Sequence, residues 1–321
     1  KRFQVFYRLL QFLRQNLAGI MVIKIDTYYN ITAGELAGKV ILVTGATGQL
    51  GQLIIASLLE RGVAADQIVA GVRSPEKAAD LAAQGIVVRH FDYTQPSVLE
   101  TALAGIERLV LVSSSEVGQR AVQHQNVINA AKQAGVALIA YTSILHADSS
   151  PLGLAEEHKA TEQALAESGV AHVILRNGWY SENYTMGVAG ALEHGVVGCA
   201  EEGKLSTAAR ADYAEAAAVV LLKDQQAGKV YELAGDSAFT LSEYAAAISK
   251  ASGKDVAYHN VPEAEFTKIL VGVGLPEGFA AILANSEVGA SKGGLFDDRK
   301  TLSTLIGRPT TSIEDSIKAA L

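Results

Sequence analysis

The chain has 321 residues, 49% apolar and 19% charged, a balance that supports a sizeable buried core and excludes wholesale disorder. Lys and Arg number 27 against 34 Asp and Glu, a net charge of −7, which argues against a nucleic-acid partner held through its phosphates. One cysteine, Cys199, excludes a disulfide framework, and seven histidines form no H-x-x-x-H or H-E-x-x-H pair, so no metal is expected and a cytoplasmic setting is.

The charge is uneven: residues 1–39 carry +4 and the other 282 carry −11. The basic end also holds Phe3, Phe6, Tyr7, Leu10, Leu13 and Leu17 at helical spacing, as a membrane-surface helix or a partner-packing stretch would. Arg8, Arg14 and Lys24 interrupt it too often for a transmembrane span or a secretory signal. Residues 1–38 are therefore set aside as a basic extension outside the chemistry.

From Lys39 the chain alternates. Strands are expected at Lys39–Thr44, Gln67–Val72, Ile86–Phe91, Arg108–Val112, Ala137–Tyr141 and His172–Leu175. Helices are expected between them at Leu50–Arg61, Pro75–Gln84, Ser97–Leu103, Gln119–Ala134 and Glu156–Ser168. Repeated βαβ units imply an α/β fold with a parallel sheet between helices, since parallel neighbours need crossovers. After Asn177 the rhythm loosens. A helix at Asp212–Leu222 and a strand at Val230–Leu233 are followed by helices at Leu241–Ala251, Glu263–Val271 and Ser312–Ala320.

The strongest chemical signal is Gly45-Ala46-Thr47-Gly48-Gln49-Leu50-Gly51, directly after the first strand and opening the first helix. Glycines there permit a tight turn and close approach of backbone to a pyrophosphate, and the helix N-terminus offers free N–H groups. The spacing is G-x-x-G-x-x-G, one residue off the dinucleotide fingerprint, but the strand-loop-helix context is the required one. We therefore expect a Rossmann-type, doubly wound NADPH-binding domain over 39–177, completed by roughly 205–236. Residues 178–204 and 237–321 would form a smaller, mostly helical substrate lobe.

Just past the second strand stands Arg73, where a site selective for NAD would place a carboxylate. A guanidinium can grip a 2′-phosphate, with Lys77 as a second cation, so NADPH is favoured over NADH. Asp92, closing the third strand, is a candidate adenine contact or a turn residue. The Tyr and Lys pair that activates carbonyl substrates in short-chain dehydrogenases is missing, because none of the eleven tyrosines has a lysine four residues on. The helix reads Leu154 to Glu162 with Leu154 at the tyrosine position and His158 at the lysine position. His158 is a candidate for the cofactor ribose or a packing histidine.

These residues resemble a known family. Gly45–Gly51, the run Ser113-Ser114-Ser115-Glu116-Val117-Gly118-Gln119-Arg120, and Arg176-Asn177-Gly178-Trp179-Tyr180-Ser181-Glu182-Asn183-Tyr184 are similar to the NmrA-like atypical short-chain dehydrogenases, in particular bacterial quinone reductases. Leu145-His146-Ala147-Asp148 and Ser291–Asp298 add to the match, which runs from about Val40 to Leu321. The resemblance implies NADPH, no flavin and a small-molecule quinone. It implies cofactor contacts at Gly45, Thr47, Gly48, Gln49, Leu50, Gly51, Arg73, Ser113, Ser114, Ser115, Gly178, Trp179, Tyr180, Ser181, Glu182 and Asn183.

A quinone accepts hydride without a protein acid, so the enzyme need only position the reactants. Asn183, Tyr180 and Ser115 are the candidate substrate-positioning residues, with Trp179 or Tyr184 able to stack on the ring. A second copy of the chain is a candidate partner. Gly289-Ala290-Ser291-Lys292-Gly293 matches a nucleophile elbow by spacing, but Leu283–Val288 before it is not a strand, and a hydrolase is rejected. The competing expectation is a non-enzymatic dinucleotide-binding redox sensor.

Overall fold

The computed structural model describes residues 38–321, so the expectations for the basic extension fall on residues 1–37, outside the described part. From the first strand onward, buried β-branched runs build the sheet. β1 (Ile41–Val43) is fully buried on both faces, as are β2 (Ile68–Val72), β4 (Arg108–Leu111) and β5 (Leu138–Ile144). Such runs suit the interior of a parallel sheet covered by helices on both sides. With β3 (Val87–His90), β6 (His172–Asn177) and β8 (Val230–Leu233) they form a seven-stranded sheet in the order β3-β2-β1-β4-β5-β6-β8. Every pairing is parallel.

The chain starts in the middle of this sheet, winds outward to β3, and returns across β1 to β4. That reversal opens a crevice at the carboxyl ends of β1 and β4, where open α/β sheets bind ligands. One sheet face packs on α1 (Gln49–Glu60) and α8 (Arg210–Leu222), through Ile54, Leu58, Tyr213 and Val220. The other packs on α3 (Pro96–Ala102), α4 (Arg120–Ala134) and α5 (Ala155–Ser168), through Leu99, Val127, Ile128 and Leu165. The short helix α2 (Ala79–Ala82) follows β2. Helix ends follow local chemistry: α4 and α5 stop at Gly135 and Gly169, each with positive φ, which glycine tolerates.

Beyond β6 lie α6 (Glu182–Thr185), α7 (Val188–His194) and β7 (Val196–Gly198). After β8 come α9 (Leu241–Ser252), β9 (Tyr258–Asn260), α10 (Glu263–Gly272), α11 (Glu277–Ser291), α12 (Thr301–Ile306) and α13 (Ile313–Ala320). α9 opens with a reciprocal capping box between Thr240 and Glu243. Its buried face, Leu241, Tyr244, Ala245 and Ile248, joins Ile313 and Ile317 of α13 in a separate core. β7 and β9 pair in parallel as a second, two-stranded sheet. Periodicity did not reveal these two strands, because three residues are too few to show alternation.

α11 is the largest element the sequence pattern left unassigned, and its helical Leu283–Val288 agrees with the rejection of a nucleophile elbow. α12 packs Leu302 and Ile306 into the core beneath α1 and α8, so the last part of the chain returns to the central sheet. Among the described residues no helix is long and apolar enough to cross a membrane, and none group as a three-residue metal site.

Candidate functional site

At the β1–β4 crevice lies a cleft of about 380 Å³. Its floor is the glycine loop. Gly45 adopts φ +56°, and its carbonyl accepts from Gly48 N at 2.8 Å, which folds the loop tightly. A side chain at Gly51 would collide with the Gly45 carbonyl, so only glycine lets helix and loop approach this closely. Gly48 is the N-cap of α1 and no side chain caps it, which leaves N–H groups of the first turn free for an anion.

The walls come from three strand ends. After β2, Arg73 and Lys77 both line the cleft and supply its cations. After β3, Asp92 lines it too, while its carboxylate accepts from Thr94 N and Oγ1 at 2.8 and 2.7 Å and from Gln95 Nε2 at 2.9 Å. Burial alone would raise its pKa, but those hydrogen bonds outweigh it and hold the carboxyl below its ordinary value. Asp92 thus closes a turn at the cleft's edge. Beneath, Thr44 Oγ1 meets Tyr93 Oη at 2.5 Å and accepts from Val112 N at 2.9 Å, which ties the ends of β1, β3 and β4 together.

After β4, the Ser113–Ser115 turn lines the cleft and is fixed from behind. Ser113 N donates to Thr142 Oγ1 at 2.9 Å and Ser114 N to His124 Nε2 at 2.9 Å. The Ser114 carbonyl accepts from Arg120 Nε. Burial drives the pKa of His124 down to about 3, so this imidazole is neutral and can accept from Ser114.

The cleft therefore brings together Gly45, Thr47, Gly48, Gln49, Leu50, Gly51, Arg73, Asp92, Ser113, Ser114 and Ser115 from the sequence-based set. It adds Gly71, Ser74, Tyr93, Thr94 and Gln123, which no motif had marked, and Glu116, quoted within the Ser113–Arg120 run but given no role there. Gly71 carried a signal: a Cβ there would meet Phe91 and Leu42 at 3.1 Å, the strand glycine of a close approach.

The remaining sequence-based residues stand apart from this cleft. His158 is buried; its Nδ1 lies 2.7 Å from Tyr141 Oη and its Nε2 3.4 Å from Arg120 Nη1. Gly178–Asn183 joins β6 to α6 and is stitched to residues 207–210. Gly178 N donates to Leu233 O at 2.7 Å, and the Trp179 carbonyl accepts from Ala208 N at 3.3 Å. Tyr180 lies under the Arg210 guanidinium at 4.7 Å. Ser181 Oγ and Thr207 Oγ1 are 2.8 Å apart, and both Glu182 carboxylate oxygens accept from Arg210 N at 3.0 Å, capping α8. The Asn183 side chain makes no hydrogen bond among the described residues, while its backbone N–H donates to the Tyr180 carbonyl at 3.0 Å. Trp179 and Tyr184 pack against the α9 core.

Comparison with known proteins agrees with this geometry. A family model described as NAD(P)H-binding matches residues 45–224. The chain is 62% identical to quinone oxidoreductase 2 of Escherichia coli strain K12, over 86% of this chain and 97% of that protein. It superposes with a TM-score of 0.85 on the crystal structure of the E. coli NADPH-dependent quinone oxidoreductase QOR2 in complex with NADPH, at 60% identity over 87% of this chain and 99% of that one. The Citrobacter sp. triphenylmethane reductase in complex with NADP(H) superposes with a TM-score of 0.84 at 40% identity, over 88% of this chain and 100% of the other. A glycine cradle at β1, cations at β2 and these likenesses converge on one assignment: the chain belongs to the NAD(P)H-binding, NmrA-like family.

Proposed function

We propose that the protein reduces quinones to hydroquinones with NADPH in one two-electron step, in the cytoplasm. The observation that carries the cofactor choice is Arg73, with Lys77, at the carboxyl end of β2, where a 2′-phosphate needs positive charge. The quinone is supported by the identity with the E. coli enzyme across nearly its whole length.

The residues fit the dinucleotide. The Gly45–Gly51 loop and the uncapped start of α1 hold its pyrophosphate, Arg73 its 2′-phosphate, and Asp92 stands at the adenosine end. The Ser113–Ser115 turn receives the half nearer β4. NADPH, when bound, supplies the hydride. The chain's own task is positional. Thr142, His124 and Arg120 lock the turn, and a locked turn holds the reactants at one distance, which alone removes several kcal/mol of barrier. No Tyr and Lys pair is needed, because the hydroquinone anion takes its second proton from water.

Gly178–Asn183 contributes the substrate side of the crevice in this reading. Asn183, with its side chain uncommitted, and Tyr180 are the donors offered to the quinone, and Trp179 and Tyr184 the ring-stacking surfaces. Ser115 lines the cofactor cleft.

The test is direct. Purified protein with NADPH and a benzoquinone should lose the nicotinamide absorbance band in step with hydroquinone formed, one for one. Tight NADPH binding with no turnover would return the chain to the redox-sensor reading.

A further inference from the structure

Behind the Ser113–Ser115 turn lies a cation without a counterion. Arg120, the first residue of α4, is half-buried and directs Nε to the Ser114 carbonyl and Nη1 toward His158 Nε2 at 3.4 Å. Among the described residues no carboxylate oxygen comes within 4.0 Å of it. Its other neighbours carry no charge to offset it: burial pushes His124 and His158 both down to about 3, and it raises the Tyr141 phenol, so all three stay neutral. Burial lowers the pKa of Arg120 itself, opposed by the pull of Glu157. Glu157 is also incomplete: Oε1 accepts from Gly118 N at 2.8 Å, but Oε2 is buried with no partner.

A half-buried, unpaired guanidinium is costly, and its field is less screened than at the open surface. Its place matters. The turn it holds is the end of β4, across the switch point from Arg73, hence on the side where the reacting half of a dinucleotide lies. His158, against which the guanidinium rests, occupies the position on α5 where the sequence offers no lysine.

We propose that Arg120 is a catalytic residue, whose guanidinium binds the quinone oxygen on which negative charge grows during reduction. The inference rests on the quinone-reductase reading. The quinone accepts a hydride, two electrons with one proton, from the reduced nicotinamide, which leaves oxidised. A proton from water then converts the hydroquinone monoanion to hydroquinone. Arg120 stabilises the monoanion before that proton arrives. Charge that appears only as the reaction proceeds is where a fixed donor gains most.

The protein loaded with NADP⁺ is titrated calorimetrically with dichlorophenolate, a planar anion that cannot be reduced, and with dichloroanisole, its uncharged counterpart. Wild type and R120K should prefer the phenolate at least tenfold, and R120Q should show no preference. NADPH affinity, read by nicotinamide fluorescence, should fall far less than kcat for benzoquinone, which should drop about a hundredfold in R120Q. Equal phenolate preference in R120Q would overturn the proposal. So would an NADPH affinity that falls by the same factor as kcat, because Arg120 would then be holding cofactor. Should R120Q fail to fold, R120M is titrated in its place: loss of the phenolate preference supports the proposal and its retention overturns it. If wild type does not turn over benzoquinone at all, the quinone reading fails, and the phenolate titration still reports on Arg120.

Discussion

Arg73 Nη1 and Glu116 Oε1 meet at 2.7 Å across the mouth of the cleft, joining the end of β2 to the turn after β4. Both side chains line the cleft and both are largely exposed, at 69% and 44%. An exposed pair is worth at most about 1 kcal/mol, so it yields readily to a better anion. A 2′-phosphate on Arg73 must take the place of the Glu116 carboxylate. On the proposed reading, Glu116 should therefore weaken NADPH binding and leave NADH nearly untouched. Glu116→Gln, which keeps an oxygen for Gln123 Nε2, should tighten NADPH by roughly three- to fivefold, as 1 kcal/mol allows. Fluorescence titration with both nucleotides checks this; equal tightening for NADH would assign the effect to something other than the phosphate.

The glycine loop makes a steric prediction. At Gly51 a methyl group meets Gly45 backbone, which cannot rotate away as a side-chain tip would. Gly51→Ala should displace the loop, cost roughly 1–3 kcal/mol of stability and remove most dinucleotide affinity. Thermal melting and NADPH titration on the same sample separate the two effects. Unchanged affinity would show that the loop has more room than these distances allow.

An ion-pair network, mostly buried, ties β6 to α5 and β8. Arg176 on β6 donates to Glu162 Oε2 at 2.7 Å and to Glu232 Oε1 at 2.7 Å, and it pairs with Asp148 at 3.0 Å. These carboxylates, led by Glu162, hold the guanidinium far above its ordinary pKa. Removing only the cation strands two mostly buried carboxylates. Arg176→Leu should cost about 3–5 kcal/mol, read by urea unfolding. A loss under 1 kcal/mol would mean that water already shares these charges.

Stability should also depend on Glu287, the buried carboxyl of α11 that accepts from Cys199 N at 2.6 Å. Burial raises its pKa to about 7 from 4.5, with the Cys199 N–H opposing. The folded state therefore keeps this proton to higher pH than the unfolded chain does. Its contribution is complete below about 4.5 and is lost as pH rises to about 7. The linkage is worth up to roughly 3 kcal/mol. Glu287→Gln should flatten the pH dependence of unfolding free energy across that window. An identical slope in the variant would place the titration elsewhere.

Much of the cleft was legible because its chemistry is local in sequence. Gly45–Gly51 and Arg73 lie at strand ends, where one buried run and one glycine spacing fix the position. Thr94, Gln123 and Glu116 were not legible as cleft residues. They reach it through the return of the β3 and β4 connections, and that proximity is a product of topology. The same holds for Arg120, quoted within a motif but meaningful only once His124, His158 and Ser114 surround it. In the second half, β7 and β9 pair across some sixty residues, and the helical pattern of α11 is diluted by Gly278 and Gly289. His158 shows the opposite limit: its position on α5 was read correctly, while its ring is taken up by Tyr141 and Arg120.

The central claim is an NADPH-dependent quinone reductase that recognises its cofactor through Arg73. Its most direct test is benzoquinone reduction by wild type and Arg73→Ala, each with NADPH and with NADH. The account predicts that wild type favours NADPH at least tenfold in kcat/KM and that the variant loses this preference with NADH activity retained. A wild type indifferent to the 2′-phosphate, or a variant with its preference intact, would contradict it.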